Sequence, residues 1–215
     1  MSGKLSVVAT PIGNLEDITL RALRVLKEAD IVACEDTRQT RKLLAHYDLH
    51  TSTSTIAHVP NLLLQGKHVA LVSDAGTPGV SDPGQEIVAH AREAGAHIEV
   101  IPGPSALAAA VSIAGIRAPS FIFYGFLPLK KGRETLFKEI AASERASMFY
   151  ESPHRILKAL ESLQKVAPER RVGLYRELTK LYEEVLIGTP EELIQRLTTE
   201  PGKQRGEFVV IVERR

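Results

Sequence analysis

Three segments rich in glycine and proline carry the clearest chemical signal in the chain. They are residues 10–14, 74–84 and 102–105, and each follows a short apolar segment. Glycine lets the backbone approach a ligand closely, and proline fixes the shape of a loop. None of the three contains Lys or Arg, and none matches a GxGxxG dinucleotide fingerprint or a P-loop. Their composition favours a zwitterionic ligand held by backbone groups over a polyphosphate.

The elements that flank these loops alternate between short apolar strands and amphipathic helices. Strands are predicted over 5–9, 31–34, 69–73 and 98–101, with helices over 19–28, 38–47, 85–93 and 105–114. This order is typical of a parallel sheet covered by helices, in which ligands bind beyond the carboxyl ends of the strands. Each loop alone is better explained as a tight turn or a helix start. Together, on one edge, they predict a binding cleft.

The second half of the chain has a different pattern. Strands are predicted over 121–124, 147–150, 172–175, 183–187 and 208–212, and helices over 133–142, 154–166 and 191–197. Only a short polar stretch separates the strands near 172–176 and 182–187, which predicts a hairpin and therefore a mixed sheet. Residues 115–119 are the best linker candidate. We therefore predict two α/β domains, residues 1–116 and 117–215.

Other function classes receive little support from the sequence. Cys34, the one cysteine, lies in an apolar run and is expected to be a buried core residue rather than a nucleophile. The seven His are scattered without CxxC or HExxH spacing, so no metal is expected. No apolar stretch approaches the ~20 residues of a membrane helix, so we expect a cytoplasmic protein and no membrane partner. The net charge of +1 provides no general attraction to RNA, so RNA binding is expected to come from local patches, a dimer surface or modest affinity.

A series of motifs then resembles one known family from end to end. These motifs occupy residues 8–17, 35–38, 73–78, 81–84, 102–106, 125–128, 149–155, 176–180 and 206–209. They are similar, in the same order, to those of the bacterial 16S rRNA cytidine 2′-O-methyltransferases of the tetrapyrrole methylase superfamily. The Glu-Asp-Thr-Arg motif at 35–38 and Tyr-Glu-Ser-Pro-His-Arg at 150–155 favour the rRNA enzymes over the rest of the superfamily. One stretch departs from the family: residues 51–60 replace a longer segment, so no substrate role is carried over there.

The resemblance implies a tetrapyrrole-methylase-like (class III methyltransferase) fold, with S-adenosylmethionine bound in a cleft between the two α/β domains. It implies cofactor contacts from Pro11, Asp74, Ala75, Gly76, Thr77, Pro78, Ser105, Ala106, Phe126, Leu127, Glu151, Ser152 and Glu207. Asp74 has an alternative role of equal weight, which is to support its own loop through hydrogen bonds to backbone N–H groups.

The implied reaction is in-line methyl transfer to a ribose 2′ oxygen. Because a ribose hydroxyl is a weak acid, a nearby base or cation should help. Glu35, Asp36, Glu151, His154 and Lys180 lie in family motifs, and we predict Glu151, His154 and Lys180 as catalytic. Glu151 and His154 are three residues apart at a predicted helix start. The alternative for Glu151 is that it caps the helix or pairs with a neighbouring arginine.

The implied partners are 16S rRNA in the small ribosomal subunit and a second copy of the chain in a homodimer. RNA contacts are predicted at Arg38, Arg41, Lys42, Lys130, Lys131, Arg133 and Arg155. The alternative for these clusters is an ordinary solvated surface. Two other functions remain open: a tetrapyrrole (precorrin-type) C-methyltransferase on the same fold, and a non-enzymatic RNA-binding protein that senses the cofactor.

Overall fold

The computed structural model describes residues 3–115 and 120–215. The chain forms two compact units, Met1–Ser105 and Ala106–Arg215. The helix Ala106–Ala114 belongs to the second unit, where it packs on that unit's last strand. The domain boundary predicted after residue 116 lies outside the described residues, as does all of the predicted linker except Gly115.

The first unit is a five-stranded parallel sheet with helices. Its elements are β1 (Lys4–Val8), α1 (Leu20–Glu28), β2 (Ile31–Cys34), α2 (Thr37–His46), β3 (Thr53–Thr55), α3 (Val59–Leu64), β4 (His68–Leu71), α4 (Gly84–Glu93) and β5 (His97–Ile101). The strand order is β3-β2-β4-β1-β5, and every pairing is parallel. Strand side chains contribute to two separate apolar clusters. Val8 and Val32 pack with residues of α1 in one cluster, and Leu5 and Ala33 pack with residues of α3 in the other. The predicted parallel α/β arrangement is confirmed.

Local capping explains where these helices begin. The Thr19 side chain accepts a hydrogen bond from the Ala22 N–H at the start of α1, and Asp36 accepts one from the Arg38 N–H at the start of α2. Both contacts satisfy backbone donors that have no partner inside the helix. Cys34 is buried in this unit, as predicted, and burial raises the pKa of its thiol.

Strand β3 and helix α3 were not predicted from the sequence. Strand β3 has only three residues, all Thr or Ser, and lies at the edge of the sheet beside β2. It therefore lacks the alternation of apolar and polar residues from which a strand is predicted. Helix α3 has only six residues and carries Pro60 in its first turn. Proline is tolerated there because the N–H that it lacks would have no partner inside the helix. Strand β3 and the first two residues of α3 lie within residues 51–60, which depart from the family pattern.

The second unit contains a five-stranded mixed sheet. Its elements are α5 (Ala106–Ala114), β6 (Phe121–Phe126), α6 (Arg133–Ala142), β7 (Ala146–Glu151), α7 (Ile156–Val166), β8 (Val172–Arg176), β9 (Glu184–Gly188), α8 (Pro190–Thr199) and β10 (Phe208–Val212). The strand order is β6-β7-β10-β8-β9; β6 and β7 are parallel, and the other pairs are antiparallel. The predicted β8–β9 hairpin and mixed sheet are confirmed. Phe137, Phe149 and Leu160 lie at the centre of the core that α6, α7 and α8 form on this sheet.

One predicted boundary in this unit was wrong. Glu151 is the last residue of β7, and α7 begins only at Ile156, so Glu151 and His154 do not share a helix start. Glu151 is buried like most of β7, and residues 153–155 form a turn before the helix. Across residues 3–115 and 120–215, no helix has the length and apolar character needed to span a membrane.

Candidate functional site

The three loops rich in glycine and proline meet on one edge of the first unit. They follow β1, β4 and β5, which are neighbours in the sheet order and run parallel, so their carboxyl ends lie side by side. Thr10 and Gly76 exchange two backbone hydrogen bonds of 2.9 and 3.0 Å. The Thr77 hydroxyl donates to the Pro104 carbonyl at 2.9 Å. The first, second and third loops are therefore linked directly, as the sequence predicted.

Close packing explains why glycine occupies the linked positions. Gly76 has φ +82°, and a Cβ there would lie 3.2 Å from the Ile12 side chain. A Cβ on Gly84 would lie 2.7 Å from the Asp82 carboxylate, which accepts hydrogen bonds from the N–H groups of Gly79 and Gly84. Both glycines permit approaches that another residue would prevent.

The surface of this edge consists of backbone and small side chains. Asp74, Ala75, Pro102 and Gly103 are exposed, whereas Pro11, Gly76 and Pro78 are buried beneath them. Asp74 accepts a hydrogen bond from the Asp36 N–H at 3.3 Å, which connects the loop after β4 to the loop after β2. Asp74 therefore supports the neighbouring loop after β2, whereas the alternative was support of its own loop. Its second carboxylate oxygen is not needed for that contact.

An acidic group lies beside this edge. Burial, followed by the charges of Asp74 and Asp82, raises the pKa of Glu35. The neighbouring Asp36 behaves in the opposite way, because hydrogen bonds from Arg38 lower its pKa to about 2. A surface with this charge repels phosphate and suits a ligand with a cationic portion.

The second unit contains a buried carboxylate clamped by two arginines. The Glu151 side chain is 0% exposed; Arg133 donates to it at 2.9 Å, and Arg155 Nε lies 2.7 Å from its other oxygen. The same guanidinium groups donate to the carbonyls of Pro128 and Leu127, each at 3.1 Å. The alternative in which Glu151 pairs with arginine is therefore observed. The clamp ties the loop after β6 to the end of β7.

This clamp changes the interpretation of several predicted residues. Arg133 and Arg155 were predicted as RNA contacts, but both charges are engaged by Glu151 and their side chains are only 13% and 20% exposed. Leu127 is buried in the core, whereas Phe126 is exposed. The Ser152 hydroxyl accepts a hydrogen bond from Arg155, and Ala106 is the first residue of α5. Contacts of these residues with a cofactor stay predictions.

Lys180, predicted as catalytic, is held between two carboxylates. Its ammonium group donates to Glu177 at 2.8 Å and to Glu207 at 2.9 Å. Burial opposes the charge, but these two hydrogen bonds outweigh it and raise the pKa of Lys180. Glu177 and Thr179 have positive φ angles of 52° and 66°, an unusual conformation for residues other than glycine. The structure thus holds Lys180 as a cation rather than a base.

The remaining predicted residues lie at the surface. His154 is exposed in the turn between β7 and α7, and Lys130 and Lys131 are exposed in the loop before α6. On α2, Arg38 pairs with Asp36 at 2.8 Å, Arg41 donates to the Thr53 hydroxyl and Lys42 to Gln39. All three α2 side chains are exposed, but Arg38 is already paired.

The structure also shows a polar cluster that the sequence did not indicate. The Ser6 hydroxyl donates to Glu99 at 2.6 Å and lies 2.7 Å from His68 Nε2. Burial lowers the pKa of His68. Only the strand register brings these residues together, because they are distant in sequence. In the part of the chain that the structure describes, no group of three or more His, Cys, Asp or Glu residues is arranged to hold a metal ion.

Comparison with known proteins assigns the family. A family model described as Tetrapyrrole (Corrin/Porphyrin) Methylases matches residues 4–194. A Coprothermobacter proteolyticus protein named ribosomal RNA small subunit methyltransferase I is 44% identical over 96% of this chain and 95% of its own length. The chain belongs to the tetrapyrrole methylase family, in the group of the ribosomal RNA small subunit methyltransferase I proteins. The predicted family and fold are thereby confirmed.

Further comparisons agree with this assignment. Proteins of the same name from Thermotoga maritima and Vibrio cholerae are 42% and 45% identical, covering 98% and 97% of this chain and 98% and 76% of their own lengths. A solved uroporphyrin-III C-methyltransferase from Thermus thermophilus, complexed with S-adenyl homocysteine, superposes with a TM-score of 0.68 at 22% identity, covering 98% of this chain and 97% of that one. At that identity the likeness shows the fold alone.

Proposed function

We propose that this methyltransferase transfers a methyl group from S-adenosylmethionine to the ribose 2′ oxygen of a cytidine in 16S rRNA of the small ribosomal subunit. The observation that carries the proposal is the identity of 42–45% to relatives named for small-subunit rRNA methylation, over nearly the whole chain. The Glu-Asp-Thr-Arg and Tyr-Glu-Ser-Pro-His-Arg motifs lie inside that matched region.

The edge of the first unit fits the proposed cofactor. S-adenosylmethionine supplies a methyl group on a positively charged sulfur and carries a zwitterionic amino-acid portion. The exposed backbone at Asp74–Ala75 and Pro102–Gly103 offers hydrogen-bonding groups without basic side chains. The free carboxylate oxygen of Asp74 and the acidic Glu35 suit the ligand's positive charges. The contacts proposed from the first unit are therefore those of Pro11, Asp74, Ala75, Gly76, Thr77, Pro78 and Ser105.

Replacing Gly76 with alanine is expected to weaken cofactor binding. A residue with a side chain at φ +82° costs on the order of 1–2 kcal/mol, and its Cβ would press on Ile12 and disturb the link to Thr10. We expect the dissociation constant for S-adenosylmethionine to rise roughly tenfold, measured by isothermal titration calorimetry.

Gly95→Ala is the matched control for this variant. Gly95 also has a positive φ, +69°, but a Cβ there meets nothing within 4 Å, and the residue follows Ala94, the C-cap of α4. It should lose similar stability without any loss of cofactor affinity. Equal affinities in the two variants would argue against a cofactor site at this edge.

Acceptor activation is proposed for His154. The exposed imidazole has a nitrogen lone pair to accept the 2′-hydroxyl proton, whereas Glu151 is clamped by arginines and Lys180 is held as an ammonium. The protein's main contribution would be alignment, since a near-attack geometry can supply roughly 7–11 kcal/mol of the barrier. In this proposal Lys180 acts as a fixed positive charge near the reacting groups.

RNA contact is proposed for the exposed cations among those predicted. Lys130 and Lys131, together with Arg41 and Lys42, have the exposure that phosphate contacts require, and Arg38 would first have to leave Asp36. Few aromatic side chains are present, 5% of the chain, so backbone and shape recognition fits better than base stacking. The proposal also includes a homodimer in the cytoplasm, which light scattering and cell fractionation would test.

Transfer of a labelled methyl group to small ribosomal subunits tests the proposed reaction directly. Subunits from a strain lacking the modification are incubated with the protein and labelled S-adenosylmethionine, and the modified nucleotide is mapped. We expect label on the ribose of one cytidine, with naked 16S rRNA assayed in parallel. Label on a precorrin-type macrocycle and none on the subunit would instead support a tetrapyrrole C-methyltransferase. No transfer to either would contradict the proposed reaction.

A further inference from the structure

An open cavity of about 820 Å³ lies in the second unit, and none of the residues that line it was assigned a role above. It is bordered by the carboxyl ends of α6 and α7, the segment leading into β8 and the residues after β10. In the sheet, the end of β10 at Val212 pairs with Ser147, while Phe208 at its start pairs with Glu151. The cavity and the Glu151 clamp therefore lie at opposite ends of the unit.

The lining of this cavity is strongly basic. Lys138, Arg170, Arg171, Arg214 and Arg215 border it together with the carboxylates of Glu169 and Glu213. The five cationic and two acidic side chains give the lining a net side-chain charge of +3, whereas the whole chain has a net charge of +1. Within residues 3–115 and 120–215, only Arg171 among the five has a carboxylate within salt-bridge distance, Glu213 at 3.5 Å. The cavity thus concentrates positive charge that the protein leaves largely uncompensated.

Arg170 is fixed in place by backbone groups instead of a counter-ion. Its guanidinium donates to the carbonyls of Glu213 and Ala141, each at 2.6 Å, and to that of Ser143 at 3.4 Å. Burial, and then the charge of Arg215, lower the pKa of Arg170. An anion in the cavity would relieve this repulsion. A guanidinium held by backbone carbonyls, with other cations around it, suits phosphate, which accepts several charged hydrogen bonds at once.

We propose that this cavity binds backbone phosphates of the rRNA substrate. The inference rests on the proposed function and adds a contact region to it. Helix α6 connects the cavity with the loop that carries Lys130 and Lys131. These two lysines precede its first turn, and Lys138, which lines the cavity, lies on the helix. The ten residues of α6 span about 15 Å. A single RNA segment of a few nucleotides can reach from the loop to the cavity. Phosphate contacts of this kind fix the register of an RNA without reading its sequence.

The test removes three of the cavity's charges by Lys138→Ala, Arg214→Ala and Arg215→Ala in one variant. Binding to a 16S rRNA transcript is measured at several salt concentrations, with methylation kinetics on small subunits. We expect RNA affinity to fall roughly tenfold or more, and the slope of log K against log salt to become shallower by about two to three. Turnover at saturating substrate and affinity for S-adenosylmethionine should not change.

The matched control removes three exposed cations from the first unit by Arg24→Ala, Lys27→Ala and Arg92→Ala. Because it changes the net charge equally, a general electrostatic effect would appear in both variants. Equal RNA affinity and salt slope in the two would overturn the cavity proposal while leaving the methyltransferase proposal intact. Wild-type protein that binds neither the transcript nor whole subunits would overturn both. Weaker binding to whole subunits with unchanged binding to the transcript would assign the cavity to a protein surface and overturn the RNA contact.

A second variant, with a single substitution, tests the proposal even if the triple variant does not fold. Lys138→Glu reverses one exposed charge on α6 and leaves the residues after β10 untouched. It should weaken transcript binding while thermal unfolding stays close to that of the wild type. A folded K138E protein with wild-type RNA affinity and salt slope would also overturn the proposal.

Discussion

Glu151→Ala is expected to lower the free energy of unfolding of the second unit by about 3–5 kcal/mol. The substitution removes a fully buried carboxylate and leaves two positive charges, those of Arg133 and Arg155, mostly enclosed and unpaired. Arg133 also lies over the ring of Phe137 at 5.1 Å, so its displacement would disturb the core. Urea denaturation followed by far-UV circular dichroism measures the effect.

The same substitution is expected to reduce methyl transfer, through the loop after β6. Arg133 and Arg155 hold the carbonyls of Pro128 and Leu127 only while Glu151 orients them. Without the carboxylate, the loop that carries Lys130 and Lys131 loses its fixed attachment to β7. We therefore expect the KM for small subunits to rise in the variant under conditions where it remains folded.

Glu161→Ala serves as the control, because Glu161 is exposed on α7 and has no ion-pair partner among the residues described. It should change stability by less than about 0.5 kcal/mol. Glu151→Gln separates the structural role from a catalytic one, since it keeps the shape and one acceptor oxygen. A Glu151→Ala protein as stable as the wild type, but inactive, would return Glu151 to the role of base and contradict the clamp.

The edge proposed to hold the cofactor was predictable from the sequence because the loops that form it have local determinants. The buried strands around Val8 and Leu71 are short apolar runs, and the loops after them contain glycine and proline. In a parallel sheet, such loops must lie at the same edge, so strand order was the only missing information. The Thr10–Gly76 bridge follows from that order.

The roles of the charged residues were not predictable in the same way. Whether Arg133 faces solvent or Glu151 depends on how α6 packs beside β7, and the sequence spacing of the two residues does not determine it. Lys180 was singled out by its motif, but its two carboxylate partners come from different segments of the chain. Apolar periodicity identifies elements, whereas ion pairs depend on tertiary contacts between them.

His154→Ala is expected to lower kcat for methylation of small subunits by roughly 10²- to 10⁴-fold, the usual contribution of a general base. Of the three residues predicted as catalytic, only His154 is exposed and has no hydrogen-bond partner among residues 3–115 and 120–215. Affinity for S-adenosylmethionine should stay within twofold of the wild type, because the residue is proposed to contact the acceptor and not the cofactor. Single-turnover kinetics and calorimetry give the two quantities.

The split between kcat and KM separates a base from a residue that merely positions RNA. Loss of a base lowers kcat, whereas loss of a positioning contact raises the KM for small subunits, so we expect the effect of His154→Ala in kcat. His90→Ala on α4, which is also exposed, should leave both kcat and KM unchanged. Unchanged kcat in His154→Ala would remove His154 from the reaction and leave Lys180 as the remaining candidate. Lys180 would then act by electrostatic stabilisation of the developing oxyanion, because Glu177 and Glu207 keep it protonated.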